Sequence, residues 1–207
     1  MIGVTVGTGA WSAAAHVAAT RMQIMTGLTC YVMGDDEWTA SRQHPSWAKT
    51  GAFRYAGENE DVMIFDADLY CMKPWSPVDT LGHKDVACVA EQTNNLNAIE
   101  CQLYGIPRER YGNGGLVILS HRAKGVLATI DTYHPLYGKY WEQNPLNVAL
   151  RDLGTRVRWL PRAYNDLIRT DTAPAITELE DRNSINLHFA GPKDPMKLVE
   201  LYAQLKT

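Results

Sequence analysis

Residues 62–68 read Val62-Met63-Ile64-Phe65-Asp66-Ala67-Asp68, and the fold turns on how this stretch is understood. Four apolar residues stand at successive positions, without the polar alternation of a strand that has one face in water. Such a run reads as a strand buried on both faces, as in a parallel sheet covered by helices. Upstream, Ile2-Gly3-Val4-Thr5-Val6 is a β-branched strand, turned by Gly7-Thr8-Gly9. Ser12 suits the N-cap of an Ala- and Met-rich helix from Ala13 to Met25, and Gly27 suits its end. Leu28 to Met33 is a second strand, ended by Gly34-Asp35-Asp36. Ser46 can cap a helix over Trp47 to Ala56, closed by Gly57 before Asp61 leads into Val62.

Strand, helix, strand, helix, strand is the order of an α/β fold. Downstream, strands are expected at Val86 to Ala90, Leu116 to Ser120, Arg156 to Leu160 and Ile185 to Phe189. Helices fit Arg122 to Tyr133, Glu142 to Leu153 and Pro195 to Leu205. In the last of these Leu198, Leu201, Tyr202 and Leu205 share one face. Glu91 to Gly112 shows no clear periodicity and reads as a long binding loop.

With 207 residues, 45% hydrophobic and 21% charged, the chain fits one domain spanning 1–207 with an ample core. Lys plus Arg number 20 against 23 Asp plus Glu, so the basic excess of a dedicated DNA binder is missing. No run approaches the ~18 apolar residues of a membrane span, and Met1 to Met25 has no basic leader pattern. Cys30, Cys71, Cys88 and Cys101 form no CxxC pair and read as buried thiols in a reducing, cytoplasmic setting.

Asp66 and Asp68 directly follow the buried run. In open α/β sheets, ligands bind beyond the carboxyl ends of the strands. Side chains two apart in extended chain point the same way, so the two carboxylates can converge on one hard cation and leave room for phosphate oxygens. Two solvated turn residues are the alternative. A second cluster is Ile185-Asn186-Leu187-His188-Phe189-Ala190-Gly191-Pro192-Lys193. His188 is a metal-ligand type, Gly191 permits close backbone approach and Lys193 offers a point charge for phosphate. Together they make a pyrophosphate grip; an exposed lysine ahead of the last helix is the plainer reading of Lys193.

In these segments the chain resembles the retaining glycosyltransferases of family 8, the glycogenin and galactosyltransferase type. Phe65-Asp66-Ala67-Asp68, with Lys73-Pro74-Trp75 after it, is similar to that family's DxD segment. Tyr111-Gly112-Asn113-Gly114-Gly115-Leu116-Val117-Ile118-Leu119 resembles its N-S-G strand, and Glu142-Gln143-Asn144-Pro145-Leu146-Asn147 its DQ…LN helix start. Leu160-Pro161 with Asn165 resembles its LP…YN element, His188 to Lys193 its HxxGxxK tail with one residue fewer, and Trp47-Ala48-Lys49 a segment whose lysine precedes the DxD strand. The motifs stand in family order over nearly the whole chain.

The resemblance implies a GT-A fold, a Rossmann-like mixed sheet flanked by helices, with a UDP-sugar donor and Mn²⁺, Mg²⁺ being the alternative. It implies Asp66, Asp68 and His188 as metal ligands, Asp66 also reaching the ribose. Gly191 and Lys193 would hold the pyrophosphate, and Thr5, Gly7 and Thr8 would frame the uridine. Lys49, Ala67 and Gly114 belong to the implied donor site, while Asn113 and Gln143 would line the sugar. Catalytic candidates are Gln143, Glu142 and Lys193. Glu142 replaces the family's aspartate, one methylene longer. The C-terminal extension that attaches some relatives to membranes is expected to be absent.

Retention can come from front-face attack, with the leaving phosphate taking the acceptor's proton, or from a covalent intermediate. Gln143 is a poor nucleophile, which favours the former. The acceptor stays open: a saccharide, a lipid-linked sugar, a protein hydroxyl or a modified nucleic-acid base, with Glu91-Gln92-Thr93-Asn94-Asn95 as its candidate loop and Trp47 and Trp75 as candidate contacts. A nucleotidyltransferase would share the paired carboxylates but would want a basic, Gly-rich triphosphate loop near the start, and Gly7-Thr8-Gly9 has no Lys or Arg beside it until Arg21. A non-catalytic nucleotide-sugar binding module is the third reading.

Overall fold

The computed structural model describes residues 1–36, 44–91, 95–137, 142–169, 175–190 and 194–205. Its strands are β1 (Ile2–Val6), β2 (Cys30–Met33), β3 (Val62–Phe65), β4 (Leu69–Cys71), β5 (Val86–Ala90), β6 (Gly112–Leu119), β7 (Val157–Leu160), β8 (Asp166–Arg169) and β9 (Asn186–Ala190). Six form a sheet in the order β2-β1-β3-β6-β5-β7, and three form a second in the order β4-β9-β8. In the large sheet β6 runs against its neighbours β3 and β5, while β2, β1 and β3 are parallel and β7 is parallel to β5. The helices are α1 (Ser12–Thr26), α2 (Pro77–Leu81), α3 (Asn95–Tyr104), α4 (Lys124–Tyr137), α5 (Gln143–Asp152), α6 (Ile176–Glu180) and α7 (Pro195–Gln204). This is the mixed sheet flanked by helices that the sequence implies.

All four residues of β3 are buried. Val62 and Ile64 belong to one core layer, with Trp47, Ala48, Ala52, α4 and α5. Met63 and Phe65 belong to the other, with Ala18, Ala19 and Met22 of α1. Burying one such side chain contributes about 1.5–3 kcal/mol. The central strand is therefore firmly held, and whatever it carries at its end is held with it.

Several local expectations are corrected. Ser12 is not the cap of α1: a 3₁₀ turn, Gly9–Trp11, precedes the helix and puts Trp11 in that position. Gly27, with φ of 72°, does close the helix. Pro45–Tyr55 is a 3₁₀ segment rather than an α-helix, and His44 caps it by accepting the Ser46 N–H. Ser46 cannot cap because its own hydroxyl pairs with His44 Nδ1 at 3.0 Å. Strand β2 starts at Cys30, since Leu28 N–H is drawn back to the Thr26 hydroxyl. Strand β6 starts at Gly112, four residues before the expected Leu116. The stretch read as a loop holds α3 and a 3₁₀ turn, Arg108–Arg110.

Cys71, Cys88 and Cys101 are buried, Cys30 is half-buried, and all four are free thiols. Burial pushes the Cys88 thiol up to about 12. Among the described residues, no helix is long and apolar enough to cross a membrane.

One ion cluster ties down the small sheet. Asp166, at the start of β8, accepts hydrogen bonds from Arg162 Nε (2.8 Å), Arg182 Nη1 (3.0 Å) and the Ser184 hydroxyl (2.6 Å). Burial opposes its charge, but these three donors outweigh burial and hold the carboxyl below its ordinary value of 3.8. A depressed folded-state value means stability that is present above the unfolded value and lost as pH falls through the folded one. Asp166→Asn should therefore cost about 1–3 kcal/mol at neutral pH, the exposed guanidinium ends being screened. The gap from wild type should close below pH 3.8. Urea unfolding from pH 7 to pH ~2.5 checks this; a gap that persists in acid would deny the cluster its role.

Candidate functional site

The turn Asp66-Ala67-Asp68 leaves β3 in the large sheet and enters β4 in the small one. Its backbone is pinned from three sides. Asp66 N–H donates to Gly115 O of β6 at 3.0 Å, and Phe189 N–H of β9 donates to Asp68 O at 2.9 Å. The Tyr202 hydroxyl of α7 donates to Ala67 O at 3.3 Å. Strand β4 pairs with β9 so that Leu69 lies opposite His188. That register puts the imidazole beside the turn: His188 Nε2 is 3.2 Å from Asp68 Oδ1 and 3.6 Å from Asp66 Oδ2.

One ligand atom from each of Asp66, Asp68 and His188 lies within 4.8 Å of the others. The Asp66 side chain is 28% exposed while that of His188 is 7% exposed, so the cluster opens on its carboxylate side. Two carboxylates and an imidazole form a donor set that fits a divalent first-row cation.

Lys49 lies behind this cluster. Its ammonium is ion-paired to Asp66 Oδ1 and to Glu142 Oε1, the latter at 2.5 Å, and is 3.4 Å from Gly114 O. Burial alone would drive Lys49 toward neutrality; Asp66 and Glu142 outweigh it and hold the ammonium above its usual value. Burial pushes the Asp66 carboxyl above the ordinary range, against the pull of Lys49.

A band of amides flanks the ions. Gln143 accepts from Gly114 N–H at 2.9 Å and donates to Glu91 Oε2 at 2.9 Å. Asn113 donates to the same Glu91 oxygen at 2.6 Å and accepts from Gly115 N–H at 2.8 Å. Asn165 donates to Asn113 Oδ1 at 2.8 Å and faces His188 Nδ1 through its own Oδ1 at 2.8 Å. Asn147 of α5 clamps Gly112 through both its N–H and its carbonyl, which fixes α5 against β6.

Asp66, Asp68 and His188 thus come together, with Lys49 and Glu142 as a second layer and Gln143, Asn113 and Gly114 beside them. Ala67 is buried. Thr5 is fully buried with a hydroxyl that has no hydrogen-bond partner among the described residues, and Thr8 is at the edge of burial. Gly7 is held small by the protein itself, since a Cβ there would lie 2.3 Å from Ala15 Cβ. Gly191 and Lys193 lie outside the described residues, as do Gln92 to Asn94 of the acceptor loop. Trp47 is a core residue, and Trp75 packs edge-on to Tyr164 with ring centroids 5.2 Å apart. Sequence reasoning named Asn165 within a motif and Glu91 within a polar loop but missed the amide chain joining them. Asn165 and Asn113 are 52 residues apart, and no periodicity links such a pair.

The architecture is the GT-A fold of glycosyltransferases. No family model matches the chain, and no curated protein matches its sequence. Solved structures do match its fold. The galactosyltransferase LgtC, in complex with donor and acceptor sugar analogs, superposes with a TM-score of 0.66 at 14% identity, covering 100% of this chain and 97% of LgtC. WbbM, a bifunctional glycosyltransferase, gives 0.67 at 11% identity, over 99% of this chain and 50% of its own. A glycosyltransferase involved in glycosylation of the major capsid of PBCV-1 gives 0.60 at 11% identity, over 98% and 100%.

Proposed function

We propose that this chain is a metal-dependent glycosyltransferase of one domain, moving a sugar from a UDP-sugar to an acceptor hydroxyl with retention. The observation that carries the reading is the Asp66, Asp68 and His188 cluster at the carboxyl end of β3 within a GT-A fold. These three residues would hold the cation, for which Mn²⁺ fits the mixed oxygen and nitrogen donors better than Mg²⁺. When bound, it supplies Lewis-acid stabilisation of the departing diphosphate.

The chain's own residues divide the remaining tasks. Gly191 and Lys193, which follow β9 in sequence, are assigned the diphosphate, and Thr5, Gly7 and Thr8 the uridine side. Asn113, Gly114 and Gln143 are assigned the sugar. Glu142 is a poor nucleophile here, because its carboxylate is buried and already spent on Lys49. That favours front-face attack. The acceptor oxygen bonds to the anomeric carbon as the bond from that carbon to the diphosphate oxygen breaks, and the acceptor's proton passes to the leaving phosphate.

Free UDP released from a panel of UDP-sugars with Mn²⁺ tests the reading, together with a thermal shift. At a concentration 100-fold above Kd, UDP should add about 2.7 kcal/mol of stability with Mn²⁺ present and far less in chelator. Asp68→Ala should abolish both turnover and the Mn²⁺-dependent shift while remaining folded. Full turnover in excess chelator, or stronger protection by guanine or adenine diphosphates than by UDP, would overturn the assignment.

A further inference from the structure

The amide band beside the carboxylates has a direction that can be read from its ends. A backbone N–H can only donate, so Gly115 N–H, 2.8 Å from Asn113, identifies the Asn113 atom there as the carbonyl oxygen. The Asn113 amide nitrogen then faces Glu91 Oε2 at 2.6 Å, as a carboxylate requires. Gly114 N–H fixes Gln143 in the same way, which makes its nitrogen a second donor to that Glu91 oxygen. With Asn113 Oδ1 settled as an acceptor, Asn165 must turn its nitrogen toward it. Asn165 Oδ1 is left for His188, 2.8 Å from Nδ1. An amide oxygen can only accept, so Nδ1 must carry a proton.

We infer that Asn165 is a positioning residue: the chain from Glu91 through Asn113 and Asn165 keeps a proton on Nδ1 of His188 and so leaves Nε2, which faces Asp66 and Asp68, as the ring atom a cation would take. The inference rests on the metal-dependent reading and deepens it by naming what orients the imidazole ligand. Which ring nitrogen bears the proton is set by the bond the other makes, and outer partners of this kind fix both tautomer and ring orientation. Without the amide oxygen, the nearby Asp68 carboxylate, 3.2 Å from Nε2, would claim the proton there. A cation would then have to displace it.

The test uses ¹⁵N-labelled protein and needs no donor or turnover. In metal-free wild type, the long-range ¹⁵N–¹H spectrum of His188 should show Nδ1 bearing a proton. In Asn165→Leu, which has similar volume and no acceptor, neutral His188 should move to the Nε2–H form. Its Mn²⁺ affinity, read by the electron paramagnetic resonance of free Mn²⁺, should fall by roughly 10- to 100-fold. Asn165→Asp retains an acceptor facing Nδ1, its other oxygen meeting Asn113 Oδ1 by holding a proton where the amide held its N–H, and should keep Nδ1 protonated and most of the affinity. An Nε2–H-only imidazole in wild type overturns the inference without needing any variant to fold, as does equal loss of Mn²⁺ in the Leu and Asp variants. Failure of the wild type to bind Mn²⁺ while Nδ1 is protonated would instead count against the metal-dependent function.

Discussion

Lys49→Met should lower the stability of this protein by about 3–5 kcal/mol, the range seen when one partner of a buried ion pair is removed. Lys49 is 6% exposed and its ammonium is shared by Asp66 and Glu142. Methionine fills nearly the same volume, so the loss comes from charge. Two carboxylates remain in one corner, with Asp68 close to Asp66, and burial, which raises the Asp66 carboxyl, is no longer opposed by the Lys49 charge. Two further measurements separate this from poor packing. Lys49→Met with Glu142→Leu removes one of the stranded charges and should recover much of the loss, the non-additivity expected of contacting residues. Mn²⁺ should stabilise the single variant, by mass action on the native state. A Lys49→Met protein within about 1 kcal/mol of wild type would place the pair with weak surface ion pairs.

Gly115→Ala should abolish divalent-cation binding while the protein still folds. Gly115 sits inside β6, where a Cβ would lie 2.3 Å from His188 Cε1, 2.6 Å from His188 Nδ1 and 2.8 Å from Asn113 Oδ1. Neither neighbour is a flexible surface group: His188 and Asn113 are both buried. Overpacking of this kind costs about 1–3 kcal/mol. The imidazole must move, and with it go the contact to Asn165 and the approach to the two carboxylates. Gly125→Ala is the control. Gly125 is exposed on α4 with nothing within 4 Å of its added Cβ, and alanine there should be neutral or stabilising by up to ~1 kcal/mol. Mn²⁺ binding and thermal melting of the two variants decide the matter; Gly115→Ala with wild-type Mn²⁺ affinity would sink it.

What could be read from the sequence was what burial and local periodicity write into it. The unbroken run Val62 to Phe65 announced a strand covered on both faces, and the structure buries all four residues. Asp66 and Asp68 at its end, and His188 far along the chain, were legible as chemistry because their residue types are uncommon near apolar runs. Strands β4 and β8 were not legible. They have three and four residues, and what makes them strands is the pairing of both with β9, a tertiary fact that overrides weak local preference. The Ser46 cap failed for a local reason: a serine near a helix start has competing partners, and His44 took its hydroxyl. Lys49 was associated with the donor site by resemblance, but its ion pairs lie 17 and 93 residues away along the chain, beyond any window of pattern.

The register of β4 on β9 also bears on how this chain can vary in length. Turns between strands usually tolerate added or missing residues. Here one residue gained or lost between Phe65 and Leu69 would slide every β4 side chain to the opposite face and move Asp68 relative to Asp66 and His188 at once. The turn joins two sheets that each hold one end of it, so neither could follow the other. Insertions and deletions should therefore be excluded from residues 65–69 far more strictly than substitutions are, even in chains that keep no recognisable similarity elsewhere.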